Sequence, residues 1–493
     1  MNIKDLRIIQ KINLSYILGG LIFIYLILRV AMVPVSDDEF MTIEMHSSLG
    51  IQDILITGQP SLDWAANNHI LNTLFVKLEM YVFGWKDWAI RLHILIAFIF
   101  GYLYCYKLFK IFVQSEVRIC LFLLIVFLNP YILDFYGIAR GYALSISAFI
   151  AALYYLFTFL DNKSIKSFNL LYFCLFISIW SNFSALYLLL AVNIIILFEN
   201  RNEISDIKIR RYLLLSVAYS CLIGVIIIFP ILKTLSSPIV YGGNTGVFQD
   251  MIVNYISLYI HHNPKIDRHL QITQDWKLIE ILGIVFFLLW VALISFSLTF
   301  EANKKIKVAQ NVFLFFILIV VFFSKFLFIF NQTPYHTGRT QLLFSIPFYM
   351  GICIAFERII LHRKRFIVTL YLVIILLLTH FFYSLNFVNT IDWWQNGDAK
   401  EIANFMKNEI KTNKNKQLKT LGAENWQYHS LAFYIKGQFQ NSLEIIWTDL
   451  SDKNRYDYLL VPHHRKSEVP QNYDQIKEFG KTTLYKHIND LEH

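Results

Sequence analysis

Eleven apolar runs, most of them near the about 20 residues that cross the hydrocarbon core of a bilayer, leave few folds open to this chain. They lie near 12–33, 87–106, 119–136, 141–160, 167–181, 183–199, 212–232, 278–299, 308–330, 341–357 and 366–388. The pair at 167–181 and 183–199 is short and closely spaced. A twelfth apolar stretch, from His69 to Trp85, carries Lys77 and Glu79 and reads as an interfacial or re-entrant helix. Of the 493 residues, 56% are hydrophobic and 16% charged, against about a quarter charged in soluble domains. A soluble fold cannot hide that much apolar surface, whereas a bilayer accepts it. The first run follows Lys4, Arg7 and Lys11, is long for a signal-peptide core and precedes no small-residue cleavage motif, so an uncleaved first span is expected.

The net charge of +9 sits in short clusters between the runs, which argues against a nucleic-acid surface and for an orientation signal. With the N-terminus inside, the inner loops are 107–118, 161–166, 200–211, 300–307 and 358–365, and every one is basic. The outer segment 34–68 has no Lys or Arg, while 129–140 and 331–340 have one each. The outer segments are then the loops 34–86, 129–140, 233–277 and 331–340 and the C-terminal residues 389–493.

The expected fold is therefore an all-α polytopic membrane domain over 1–388, with about eleven spans, followed by a small α/β domain over 389–493 outside the membrane. In that last stretch Ile402, Phe405, Met406 and Ile410 have helical spacing after Gly397-Asp398, and Leu443–Thr448 and Tyr456–Val461 read as strands. The five cysteines all lie in apolar runs, which suggests neither a disulfide framework nor a metal site.

The outer segments concentrate the chemistry. Asp37, Asp38 and Glu39 follow the first span, with Glu44, Asp53 and Asp63 behind them and no basic residue nearby in sequence. Crowding and burial raise carboxyl pKa values toward the range of a general base; helix capping by solvated acids is the plainer alternative. Asn67, Asn68 and His69 precede an apolar helix and can cap it or hold a sugar or phosphate at its N-terminus. Asp134, Arg140 and Tyr142 lie at a membrane boundary, where ionised groups need partners, either each other or a loop carboxylate. His336, Thr337, Arg339 and Thr340 form a donor-rich turn, and arginine suits phosphate. His261, His262, Lys265, Arg268 and His269 make a basic surface suited to an anionic head group and lack metal-ligand spacing.

The order of these pieces resembles the GT-C superfamily of membrane glycosyltransferases, and within it the branch of protein O-mannosyltransferases and the lipid A aminoarabinose transferase. The resemblance covers about 1–390 and rests on Asp38-Glu39, on Asn67-Asn68-His69 through Gly84-Trp85 to Arg91-Leu92, on Asn129-Pro130 and Ala139-Arg140-Gly141-Tyr142, and on Arg339 with Pro347. Many relatives have His-Pro-Pro where this chain has Asn-Asn-His.

The resemblance implies transfer, with inversion, from a polyprenyl-phosphate sugar donor to a glycan, lipid or protein acceptor at the outer face of a bacterial inner membrane. It implies Asp38 as general base with Glu39 as second candidate, Arg339 on the leaving phosphate and Arg140 orienting the acidic loop. Asp37, Asn67, Asn68, His69, Tyr142 and His336 complete the expected substrate contacts. No cofactor or metal is expected, although three carboxylates also form a divalent-cation ligand set. Two other classes compete: a lipid-linked glycan flippase, which predicts ionisable groups within spans and an internal repeat, and a polysaccharide polymerase or ligase. Lys325 and Glu357 are the span residues relevant to the first.

Overall fold

The protein is described from a computed structural model covering residues 13–56, 69–228, 242–253, 276–412, 418–439, 441–448 and 456–488. Asn67, Asn68, His261, His262, Lys265, Arg268 and His269 lie outside the described residues, as does most of the 233–277 loop.

Among the described residues eight helices are long and apolar enough to cross a membrane: Leu14–Met32, Ala89–Phe112, Gly141–Asn162, Ile207–Ile227, Glu280–Leu298, Lys304–Asn331, Gly338–His362 and Lys364–Tyr383. Two shorter apolar helices, Ile165–Ser181 and Phe183–Glu199, match the closely spaced pair of runs. The outward faces are apolar, with Leu214, Leu289, Leu376 and Phe330 all more than half exposed. Such a surface is stable only against lipid, and the chain is an integral membrane protein.

The run at 119–136 departs from the expected single span. It folds as helix Glu116–Phe127, 12 residues long, and a second helix, Pro130–Phe135. Asn129 caps the second helix by accepting from the Tyr131 and Ile132 amides at 2.9 and 3.3 Å. Pro130 sits at its first turn, where a missing N–H costs nothing, and it could not have continued the first helix. Twelve residues rise only about 18 Å, so the first helix ends within the buried core, and the chain goes on from Asn129 through the second helix to Asp134 and Arg140 at the acidic end.

Three helices define the two ends of the bundle. Leu14–Met32 starts where Asn13 donates to the Tyr106 hydroxyl, itself bonded to Glu116, and ends at the acidic loop. Gly141–Asn162 starts beside Arg140 and ends beside Lys163. Leu342–His362 starts beside Arg339 and ends beside Glu357 and Arg358. At the far end the basic loops are tied together by Lys163–Glu203, Lys305–Asp161 and Arg118–Glu357 ion pairs and by Arg358 donating to the Phe300 carbonyl. The positively charged loops thus share one end and the acidic loop occupies the other.

Glu357, one of the two ionisable span residues, is neutralised by Arg118, with N–O distances of 2.8 and 3.1 Å. Among the described residues Lys325 pairs with no acid. It donates to the Tyr335 hydroxyl at 3.1 Å and lies over the Phe328 and Tyr335 rings.

Helix Ile70–Phe83 has the two-faced character expected of an interfacial element. Leu78, Tyr81, Val82 and Phe83 are exposed. On its buried face Glu79 accepts from the His93 backbone and ring at 2.7 and 2.8 Å, and Asn72 bridges His93 and the Ala139 carbonyl.

The α/β unit contains helices Ala399–Thr412 (α1) and Asn425–Gln438 (α2) and five strands: Lys419–Ala423 (β1), Leu443–Trp447 (β2), Tyr458–Pro462 (β3), Tyr473–Glu478 (β4) and Thr482–His487 (β5). The sheet order is β2-β1-β3-β5-β4, parallel from β2 to β3 and antiparallel from β3 to β4. Its core is not self-contained. Val35, Phe40 and Ile43 of the acidic loop, with Val76 and Ile90, pack into one cluster with Ile402, Met406, Leu431, Ile435 and Leu460. Ile391 and Trp393, by contrast, belong to the core of the membrane bundle.

Candidate active site

The acidic loop leaves the first span as a single capped turn. Ser36 accepts from the Glu39 amide at 3.4 Å and Glu39 accepts from the Ser36 amide at 2.8 Å, a reciprocal capping box that starts helix Asp37–Met41.

That turn separates the three adjacent acids into three environments. Glu39 is sealed. Its Oε1 accepts from Arg91 Nε at 2.7 Å and the Ala139 amide at 2.6 Å; its Oε2 accepts from Arg91 Nη2 at 2.7 Å and the Ser36 amide. Four bonds fill the lone pairs of the carboxylate. Arg91 spends its remaining donors on the Val30, Val33 and Pro34 carbonyls, so the pair clamps the exit of the first span. Glu39 therefore has no oxygen to offer a substrate.

Asp38 faces two guanidiniums. Its Oδ2 lies 3.1 Å from Arg140 Nη2 and 3.3 Å from Arg339 Nη1. Arg140 is fixed from behind by the Asp38 carbonyl at 3.2 Å and Thr42 Oγ1 at 3.0 Å. Asp38 Oδ1 has no partner among the described residues, and its side chain keeps 11% exposure. One oxygen is held and oriented while the other is presented.

Asp37 is the most deeply desolvated in effect. Burial, and secondarily the charge of Asp38, push its carboxyl up to about 8. Its Oδ1 is buried without a hydrogen bond, and its amide donates to Asn396 Oδ1 at 3.2 Å. Below about pH 8 the cluster Asp37-Asp38-Arg140-Arg339 thus carries a neutral acid, one carboxylate and two cations, a net positive charge.

Arg339 comes from a turn built for it. Thr337 and Thr340 cap the short helix Gly338–Gln341 reciprocally, and Gly338 takes φ +55°, which a side chain would strain. The guanidinium lies 5.1 Å above the Trp393 ring. His336, in the same turn, is wedged edge-on against Tyr187 and Phe344. Burial lowers it to about 4, so it is neutral at neutral pH and can serve only as an uncharged contact.

His69 and Tyr142 are brought together beneath the arginines, with ring centroids 5.0 Å apart. His69 Nδ1 bonds the Ser181 carbonyl at 2.9 Å. Gly141 permits this packing: a Cβ there would lie 1.9 Å from the Ser181 carbonyl oxygen. Asp134 takes Arg29 at 2.6 Å and the Ile391 amide at 2.8 Å, which ties the 386–393 segment to the bundle.

Sequence reasoning missed three participants. Arg91 is detectable as a cation at the start of a span, where a buried partner is required. Asn396 and His429 come from the C-terminal region, and His429 Nε2 lies 3.9 Å from Asp37 Oδ1. Nothing local marks either residue.

An apolar groove opens beside the Arg339 turn, between Glu280–Leu298, Lys304–Asn331 and Leu342–His362. It encloses about 110 Å³ and is lined by Phe286, Trp290, Val320, Phe344 and Phe348 among others, with Gln341 and Ser345 as polar lining. Among the described residues no three His, Cys, Asp or Glu side chains converge as a metal ligand set, and Glu39 and Asp38 already face guanidiniums.

No protein-family model matches the chain, and no curated protein matches it. Among solved structures it is similar to ArnT from Cupriavidus metallidurans in the apo state, at 10% identity over 97% of this chain and 98% of that one, with a TM-score of 0.44. It is similar to the same protein bound to undecaprenyl phosphate at 9% identity, over 96% and 97%, with a TM-score of 0.38. It is also similar to the Archaeoglobus fulgidus oligosaccharyltransferase in complex with zinc and sulfate, at 10% identity over 96% and 73%, with a TM-score of 0.48. Overlaps this shallow fix no activity, and the functional reading rests on the site itself.

Proposed function

We propose that the chain is a membrane glycosyltransferase that uses a polyprenyl-phosphate sugar at the outer face of a bacterial inner membrane. One observation carries this reading. Two guanidiniums converge on a single carboxylate oxygen at the membrane boundary, and one of them, Arg339, comes from the turn whose Gln341 lines an apolar groove. A phosphate on a long apolar chain matches both halves: the chain lies in the groove and the phosphate takes the arginines.

The acceptor hydroxyl attacks the anomeric carbon. Its oxygen forms the new bond to that carbon while the bond from carbon to phosphate oxygen breaks. The electron pair leaves with the polyprenyl phosphate, whose growing charge Arg339 and Arg140 stabilise. The acceptor proton passes to Asp38 Oδ1, the open oxygen of the oriented carboxylate. A single displacement inverts the anomeric centre. Glu39 is assigned a positioning role through Arg91 rather than a place as base. Asp37, neutral at neutral pH, keeps a second negative charge away from the phosphate. Tyr142, His69 and His336 line the sugar side, Tyr142 and His336 as uncharged contacts. The basic loops mark the cytoplasmic end, which puts the N-terminus inside and the α/β unit outside.

The test is binding and turnover with purified protein. Arg339→Ala is expected to weaken binding of undecaprenyl phosphate by about 10- to 100-fold, the loss of one charge-assisted contact of about 1.5–3 kcal/mol. Unchanged affinity would remove the phosphate from this site.

A further inference from the structure

The α/β unit is more than a neighbour of the site, because its helix α2 is built into the acidic loop. Ser430 Oγ donates to the Val35 carbonyl and the Val35 amide donates to the Tyr434 hydroxyl at 2.9 Å, so α2 grips the residue that leads into Ser36-Asp37. Lys436 pairs with Glu44 just beyond the turn. One helical turn of α2 then places His429 against the Phe40 ring, with centroids 5.9 Å apart, and its Nε2 at 3.9 Å from Asp37 Oδ1.

Asp37 Oδ1, which faces Nε2, is buried without a hydrogen bond, and so is Nδ1 on the far edge of the imidazole. At 3.9 Å the ring nitrogen and the carboxyl oxygen are one bridging water or a small rotation short of a hydrogen bond. We propose that His429 is a positioning residue of the transfer site, which shares the proton of Asp37 and so makes the C-terminal unit a working part of the active site. This rests on the glycosyltransferase reading of the same cluster.

Burial lowers the proton affinity of His429, against the opposing charges of Glu44 and Asp38 and with a smaller push from Lys436. The ionisable groups facing the ring are Asp37 and Asp38 from the acidic helix, Glu44 from the turn after it, and Lys436 and the Tyr428 phenol from α2, the phenol held neutral by burial. Lys436 and Glu44 are paired with each other, which leaves the two aspartates in control. Asp38 is matched by two arginines. The proton of Asp37, which holds to about pH 8, therefore has an acceptor within reach in the neutral imidazole. Donation to His429 stabilises the protonated acid. Loss of that proton puts a second carboxylate beside the arginines that the donor phosphate needs.

The experiment is the pH dependence of undecaprenyl phosphate binding to the full-length protein in detergent, between pH 6 and pH 10, for wild type, His429→Ala and His429→Gln. Wild type is expected to lose affinity as pH rises through about 8. In His429→Ala the midpoint of that loss is expected to fall by about one pH unit, the worth of one hydrogen bond to the protonated acid. His429→Gln keeps a neutral acceptor and is expected to restore most of the difference. A structural defect at the interface lowers affinity at every pH and leaves the midpoint unmoved. An unmoved midpoint in His429→Ala, or equal midpoints in His429→Ala and His429→Gln displaced from wild type, overturns the role of His429 while leaving the site reading intact. Absence of binding by wild type at every pH overturns both.

Discussion

The Glu39–Arg91 clamp offers the sharpest physical test of the site's architecture. Both side chains are fully buried, and the guanidinium holds three carbonyls as well as the carboxylate. Replacing one partner leaves the other as a buried, uncompensated charge, which costs about 3–5 kcal/mol. At about 1.4 kcal/mol per decade this is a loss of between two and nearly four decades in the folding equilibrium. Replacing both by apolar residues of similar volume removes the desolvation cost together with the attraction. Glu39→Leu and Arg91→Met are therefore expected each to lose most of their monodisperse fraction on mild heating in detergent. The double variant should recover at least about 2 kcal/mol relative to the sum of the singles. Transfer activity should stay low even in the recovered double variant, because the Ser36–Asp38 turn has lost its anchor. Singles within about 1 kcal/mol of wild type, or a strictly additive double variant, would refute the clamp.

Further expectations concern the other parts of the site. Asp37→Asn should bind undecaprenyl phosphate nearly unchanged below pH 7 and should lose the fall in affinity above about pH 8, read from binding isotherms across that range; a retained fall would place the titration elsewhere. Ser345→Trp, which narrows the groove, should weaken long-chain polyprenyl phosphates by about tenfold and short-chain analogues far less, since two excluded methylenes account for about 1.6 kcal/mol. A reporter fused after His493 should be read outside the cytoplasm, and a cytoplasmic signal would invert the proposed topology.

Much of this architecture is legible in the sequence because the bilayer imposes it locally. Run length marks ten of the eleven apolar helices, and the Asn129-Pro130 pair that splits the remaining run is itself a readable break. Helical spacing around Ile402 and Met406, and the strands near Leu443 and Tyr458, also emerge from local pattern. Local pattern fails where partners are remote. Asp134 and Arg140 lie six residues apart, yet one pairs with Arg29 and the other with Asp38. Glu39 and Asp38 are neighbours with the same chemistry, and only tertiary packing makes one a sealed anchor and the other an open carboxylate. His429 reaches Asp37 because helix α2 shares a core with Val35 and Phe40, a fact absent from any short window of sequence.

The central claim is transfer from a lipid-phosphate sugar with Asp38 as base. Its most direct test is incubation of purified wild-type and Asp38→Asn protein with a panel of polyprenyl-phosphate sugars, following loss of sugar from the lipid. Wild type is expected to consume at least one donor, and Asp38→Asn is expected to fold and bind undecaprenyl phosphate but to turn over at least about 100-fold more slowly, the scale of a lost general base. Near-normal turnover by Asp38→Asn, or no donor consumed by wild type across the panel, would contradict the account.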